Sequence, residues 1–382
     1  MTLPSVSLLD PIPFNRPSLT GREMDYVRDA VARGHISGNG WYTRRCEALL
    51  GEVLHGAPVL LTTSCTHALE MAALLLDIGA GDEVIVPSFT FVSTANAFAL
   101  RGARPVFVDI RPDTLNLDEH RVADAITPRT RAIVAVHYGG VACEMDEIAA
   151  AAGTGIAVIE DNAHGLFGAY RGRALGTLGT MSALSFHETK NVSCGEGGAL
   201  VLNDRALLPR AEMIREKGTN RSRFFRGEID KYTWCDLGSS YVMADLLAAY
   251  LLAQLEAREA IQAARRAVWK RYREALAPWA ARRGVQLPHV PPHVEPSHHL
   301  FHLVMPSAAD RQRLIAHLRA RGIQAVFHYV PLHLSEMGRG FGGRAGDCPV
   351  AESVSDRLVR LPFFASLSAE DAQRVIDAVV SF

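Results

Sequence analysis

Two residues with complementary chemistry lie about one supersecondary unit apart: Asp161, at the end of an apolar run, and Lys190, in the segment Ser185-Phe186-His187-Glu188-Thr189-Lys190-Asn191. A lysine leaving a short apolar strand (Ala183, Leu184, Phe186) can be partly desolvated, which lowers its pKa and frees a neutral amine to form a Schiff base with a carbonyl. An acid at the end of a second strand can hold a heteroaromatic ring nitrogen protonated, and such a ring is an electron sink for carbanion chemistry. Either residue alone would read as a solvated surface group, where Lys and Asp are usually found. A third feature, Leu61-Thr62-Thr63-Ser64-Cys65-Thr66, stands between an apolar run and a helical pattern, where backbone N–H groups and a helix N-terminus can form an anion site. A plain Ser/Thr helix cap accounts for it equally well.

The elements that would position these groups follow from periodicity. From about residue 58, short β-branched runs at 59–61, 84–86, 106–110, 132–136 and 157–160 alternate with helical patterns at 66–77, 92–101, 119–126 and 145–153. That alternation predicts an α/β fold with a large, mostly parallel sheet covered on both faces. Runs at 182–186 and 199–203 flank the Lys190 loop. Ligands in such sheets sit at the carboxyl ends of strands, where Asp161 and Lys190 both fall. Residues 241–279 read as one long connecting helix. Strand-like 300–305 and 324–330, helical 309–320 and a closing helix at 369–380 suit a small C-terminal α/β domain, reached through a Pro/His-rich connector at 288–299. The expected division is residues 1–250 for the large domain with its N-terminal segment and 251–382 for the connecting helix and small domain.

Composition sets limits. The 382 residues can bury a sizeable core and suit two domains; 48% hydrophobic and 21% charged content is that of an ordinary globular chain. A net charge of −1 argues against a broad nucleic-acid or membrane footprint, so any polyanion site must be local. One candidate is 215–231, with six Lys/Arg against three acids, a local +3 that reads as a solvated basic loop or as a partner for a diphosphate. Six cysteines without CxxC spacing, no basic leader in Met1–Ser7 and no long apolar span predict a cytoplasmic protein, neither exported nor inserted. His187-Glu188 lacks the second histidine of a metalloprotease helix, and the glycines at 195–198 lack nicotinamide-site spacing. The cluster His298, His299 and His302 has strand-like surroundings and contains no acid, which favours interdomain packing over a metal.

The Lys190 segment followed by Gly195-Glu196-Gly197-Gly198-Ala199, and Glu160-Asp161-Asn162-Ala163-His164, resemble the DegT/DnrJ/EryC1/StrS family of pyridoxal-phosphate (PLP) dependent sugar aminotransferases. The resemblance runs nearly end to end, through Pro13–Pro17, Ser37–Gly40, Pro87–Phe91, Val136–Gly139, Arg215–Arg221 and Phe327–His333. The His-Glu-Thr-Lys-Asn form is most similar to the dTDP-4-oxo-6-deoxyhexose C4 transaminases of the WecE group. The resemblance implies the PLP-dependent transferase fold type I and a homodimer with active sites at the interface.

It also implies residue roles. Lys190 anchors PLP and shuttles the proton, and Asp161 faces the pyridine nitrogen. Cys65 and Thr66 match the phosphate cup, with Cys65 contributing backbone rather than a nucleophile, and the Ser185 hydroxyl binds the same phosphate. Phe91 stacks on the ring, Ala163 packs its other face and His164 lies near the ring hydroxyl. His187, Lys217 and His328 are matched to the substrate, Lys217 to the nucleotide diphosphate across the dimer. Many relatives carry Gly-x-Asn-x-Arg-Met where this chain has Gly238-Ser239-Ser240-Tyr241-Val242-Met243, so Ser240 stands at the position of an Asn that reaches the partner's cofactor phosphate. The expected reaction converts a dTDP-4-oxo-6-deoxyhexose to its 4-amino-4,6-dideoxy product, with L-glutamate as donor. Amination at C3 or of another keto-sugar, and a noncatalytic regulator that kept the fold, are the alternatives. Dehydratases of this fold typically replace the lysine by histidine, and Lys190 weighs against that activity.

Overall fold

Seven strands build the central sheet of the computed structural model, which describes residues 10–382. The expectation drawn from Met1–Ser7 lies outside the described residues. In chain order the strands are β1 (Val59–Thr62), β2 (Glu83–Pro87), β3 (Arg104–Val108), β4 (Thr130–Val136) and β5 (Ala157–Asp161). A small hairpin, β6 (Ala169–Tyr170) and β7 (Arg173–Ala174), precedes β8 (Met181–Ser185) and β9 (Gly198–Leu202). The spatial order is β1-β9-β8-β5-β4-β2-β3. All run parallel except β9, which is antiparallel to both β1 and β8. Period-two alternation sends Val84 and Val86 into one core with the helices Cys65–Leu75 and Ser93–Ala99, and Ile85 into another with the helix Met145–Ala152. Burial on both faces is why the middle of each of these strands is a run of apolar residues.

The expected single helix over 241–279 is two, Asp245–Glu256 and Arg258–Arg283, interrupted at Ala257. The first shares a core with the helices Glu23–Ala32 and Trp41–Val53; the second, from Val268 onward, enters a separate core with Phe301, Leu303, Val359 and Val375. Ile12 also packs in this second core and bridges to Ile323, so the start of the described chain rests on the C-terminal unit rather than on the large sheet. Hairpin β6–β7 is joined by β10 (Val294–Glu295), while β11 (His302–Val304) pairs with β12 (Leu358–Arg360). The strand expected over 324–330 is reduced to a bridge between Val326 and Arg360. β12 is only three residues long, and beyond Val326 the chain turns over the end of the large sheet, where the His328 and Tyr329 rings face Tyr138.

Side-chain hydrogen bonds fix the segments that follow that turn. Ser88 Oγ, just past β2, lies 2.6 Å from His333 Nδ1, and His333 Nε2 lies 3.0 Å from Glu352 Oε1. Asp109 accepts the N–H groups of Val350 and Ala351 at 2.9 and 2.8 Å, capping the helix Pro349–Arg357.

Candidate active site

The carboxyl ends of β1, β2, β4, β5 and β8 open into a cleft of about 720 Å³ that the C-terminal unit closes from above. Lys190 lies on its wall, on the turn after β8. Burial lowers its pKa to about 8, against the opposing pull of Cys65 and Asp161. Asp161, the last residue of β5, is held on two sides: Thr94 Oγ1 donates to Oδ2 at 2.7 Å and the Ala163 N–H donates to Oδ1 at 3.2 Å. Thr94 is fully buried, and its hydroxyl also meets that of Thr90 at 2.9 Å.

At one end the helix Cys65–Leu75 begins at the mouth of β1. Ser64 caps it, its Oγ accepting the His67 N–H at 3.1 Å, as a Ser/Thr helix cap would. The first N–H groups of a helix have no partner within it. Those of Cys65 and Thr66 remain available for an anion, since both residues and Ser185 line the cleft. Burial pushes the Cys65 thiol well up, which keeps it protonated and unsuited to nucleophilic work. Gly198 makes the arrangement possible: a Cβ there would lie 2.3 Å from the Cys65 nitrogen.

The opposite walls are aromatic and rich in histidine. Phe91 and Ala163 face the cleft, Phe91 with 57% of its surface free. His164 stacks on His299 with ring centres 4.1 Å apart and lies 6.3 Å from His328, whose Nδ1 is 2.9 Å from the Tyr138 hydroxyl. Burial, reinforced by nearby positive charge, drives all three histidines well below their ordinary pKa, so they are neutral. His187 sits at the rim, its Nδ1 2.9 Å from Thr189 Oγ1.

Ten of the twelve residues singled out from sequence line this cleft, from Cys65 and Thr66 to His328. The exceptions, Lys217 and Ser240, lie outside the chain's own cleft, on an exposed surface where Glu216 and Ser240 pair backbone to backbone and Thr63 donates to the Tyr241 carbonyl at 2.9 Å. Lys217 adopts φ 65°, costly for a side chain, and its amine is 3.9 Å from Glu216. Thr94 and Arg360 reach the site from segments with no chemical signature of their own, whereas Tyr329 lies next to His328 in the segment Phe327–His333. The expected packing role of the histidine cluster holds for only part of it. His298 does pack, against Trp269 at 5.4 Å, but His299 lines the cleft and binds Asn191 Oδ1 through Nδ1 at 2.9 Å.

The donor set fits a phosphorylated heteroaromatic aldehyde: a depressed-pKa lysine, a fixed carboxylate, a helix start for the phosphate and a free aromatic face. A model of the DegT/DnrJ/EryC1/StrS aminotransferase family matches residues 17–380. The chain is 32% identical over 376 residues to the uncharacterized protein MJ1066 of Methanocaldococcus jannaschii, covering 96% of both. Among solved structures, Spr1654 of Streptococcus pneumoniae, described as a sugar aminotransferase and solved in its PMP form, superposes with TM-score 0.90 at 27% identity, over 97% of this chain and 99% of that one. DesV of S. venezuelae gives TM-score 0.89 at 33% identity, over 98% of each chain. Fold and cleft together are those of a PLP-dependent transaminase. The chain belongs to the DegT/DnrJ/EryC1/StrS aminotransferase family and is a sugar aminotransferase.

Proposed function

We propose that the protein moves the amino group of L-glutamate to C4 of a dTDP-4-oxo-6-deoxyhexose, giving the dTDP-4-amino-4,6-dideoxyhexose, and does so as a cytoplasmic homodimer with shared sites. The observation that carries this reading is the segment His187-Glu188-Thr189-Lys190-Asn191, which sets Lys190 in the cleft wall and His187 at its rim, as the similarity to C4 transaminases would require. Six unpaired cysteines suit a reducing compartment, and among the described residues no helix is long and apolar enough to cross a membrane.

PLP, when bound, supplies the electron-poor ring that carries the amino group between donor and acceptor. Lys190 both holds the cofactor and moves a proton at the donor's Cα, a task suited to an amine with pKa about 8. Asp161, fixed by Thr94, provides the negative charge that keeps the ring nitrogen protonated. The Cys65 and Thr66 N–H groups and the Ser185 hydroxyl hold the phosphate, Phe91 and Ala163 cover the two ring faces and His164 stands by the ring hydroxyl. His187 and His328 face the sugar. Lys217 and Ser240, outside their own cleft, serve the partner's, Lys217 at the diphosphate.

The test is incubation with PLP, L-glutamate and dTDP-4-oxo-6-deoxyglucose, with product structure determined by NMR. A 4-amino product, absent with Lys190→Ala, is expected. No product here, alongside amination of a 3-oxo isomer, would replace C4 by C3.

A further inference from the structure

We propose that His299 is a hydrogen-bond acceptor of the cleft, presenting a bare Nε2 to a ligand hydroxyl, on the cofactor ring or on the sugar. The proposal rests on the reading of the cleft as a nucleotide-sugar aminotransferase site and names a ligand group for it. The tautomer is dictated outward from a backbone carbonyl. Asn191, buried and next to Lys190, turns its Nδ2 to the Ser297 carbonyl at 2.8 Å and to Gln262 Oε1 at 3.0 Å. A carbonyl only accepts, so the amide NH2 must face it, and the other end of the amide, Oδ1, faces His299 Nδ1 at 2.9 Å. That oxygen has no proton to offer, so Nδ1 carries one. A neutral imidazole has a single N–H, which leaves Nε2 with its lone pair. The ring is neutral because it is buried and Lys190, Arg265 and Arg360 oppose a further positive charge there.

The ring is also held in place. Arg265, in the helix Arg258–Arg283, donates to the His298 and His299 carbonyls at 3.0 and 2.5 Å, and the His299 N–H donates to the Gly139 carbonyl at 3.4 Å. Nε2 has no partner among the described residues. Both nitrogens of His302 are sealed in without partners, whereas His299 Nε2 keeps contact with open space, and the space that His299 borders is the cleft. The stacked His164 has the opposite polarity: its Nδ1 accepts the Gly139 N–H at 3.3 Å, so its proton sits on Nε2. One ring offers an acceptor and the other a donor, which together match a hydroxyl, a group that both gives and takes a hydrogen bond. An ammonium is disfavoured by the three cations around the ring. Once a ligand displaces water from this wall, an unanswered Nε2 is costly, and a ligand hydroxyl removes that cost.

The test pairs ligands that differ in the hydroxyl. The full chain and His299→Phe, which keeps a ring to stack on His164 but has no nitrogen, are titrated with PLP and with the PLP analogue lacking the ring hydroxyl. Loaded with PLP, they are then titrated with dTDP-glucose and with dTDP. Cofactor binding is read by visible absorbance and nucleotide binding by calorimetry. His299→Phe should weaken the hydroxyl-bearing member of one pair roughly fivefold or more and leave the other member little changed. Preferential loss of PLP assigns the hydroxyl to the cofactor; preferential loss of dTDP-glucose assigns it to the sugar. A role in packing alone would weaken both members alike, and equal losses within each pair, or none, overturn the proposal. NMR of the histidine-labelled chain, with the His299 signals identified by their absence from the variant, should find the proton on Nδ1; a proton on Nε2 also overturns it. If His299→Phe does not fold, His299→Asn replaces it with the same expected losses, since its amide can still donate to Asn191 but has nothing at the place of Nε2. Should glutamate give no amine transfer while either pair still responds to His299, the functional reading falls and the acceptor stands.

Discussion

The proton on Lys190 is set by the burial of its amine. Its pKa falls from 10.5 to about 8 because burial disfavours the charged amine. Below that value the neutral fraction grows about tenfold per pH unit and above it levels off, so the apoprotein should capture PLP faster as pH rises from about 6 to 8, then plateau. A stopped-flow rate that is flat across this range would show that burial does not control the amine. The same shift has a stability consequence. The unfolded chain keeps the lysine proton up to about 10 whereas the folded one releases it near 8, so stability should rise with pH between these values and Lys190→Ala should remove the slope. Lys217 offers a second residue-scale test. Its φ of 65° costs a side-chain-bearing residue about 1–2 kcal/mol, which glycine avoids. Lys217→Gly should therefore raise the melting temperature while raising KM for the nucleotide sugar far more than for glutamate. Equal effects on both substrates would remove Lys217 from the diphosphate. Lys190 and Asp161 stand at the ends of short apolar runs, which marks them as candidates, and the family resemblance gives them and Ser185 their roles; Thr94 could not be read, because its meaning lies in what it holds across the fold.

Periodicity recovers strands and helices where burial is two-sided and fails where a local rule yields to a neighbour. The alternation from 59 to 161 is legible since each strand carries a buried apolar stretch at its centre. The direction of β9 is not, because an apolar run carries no sign of whether it pairs parallel or antiparallel. The break at Ala257 is equally silent: alanine is the best helix former, and the interruption shows only as two helices committed to different cores. The link between element and site is tightest at β9, whose first residue, Gly198, pairs with Thr62 and packs against the Ser64–Cys65 backbone. Because a Cβ at 198 would fall 2.3–2.5 Å from backbone atoms that cannot swing aside, Gly198→Ala should push the helix Cys65–Leu75 away from β9. We expect a stability loss of about 1–3 kcal/mol and a large drop in PLP affinity, read by calorimetric melting and by cofactor titration. Full PLP affinity in a destabilised variant would separate the helix start from phosphate binding.

On the scale of the whole molecule, the two residues that miss their own cleft become informative. Lys217 and Ser240 adjoin a surface that exposes Phe225, Tyr232, Trp234 and Leu237, at 67, 50, 75 and 54%. A cluster of large exposed apolar side chains beside a basic segment suits a buried contact with another copy of the chain, which would carry Lys217 and Ser240 to the partner's cleft. Lys217→Ala combined with Ser240→Ala must first prove severely impaired alone. Mixed with Lys190→Ala and allowed to exchange subunits, it should then form heterodimers with one intact site, built from the Lys190 of one chain and the loop of the other, and one doubly damaged site. With equal amounts and free exchange, half the dimers are mixed and half of their sites are whole, so activity should climb towards about a quarter of the parent's. Exchange is verified by mass spectrometry of the intact dimers. If mixed dimers form and activity stays at the level of the two variants apart, each chain builds its own site, and the basic loop must be assigned to something other than the nucleotide of its neighbour.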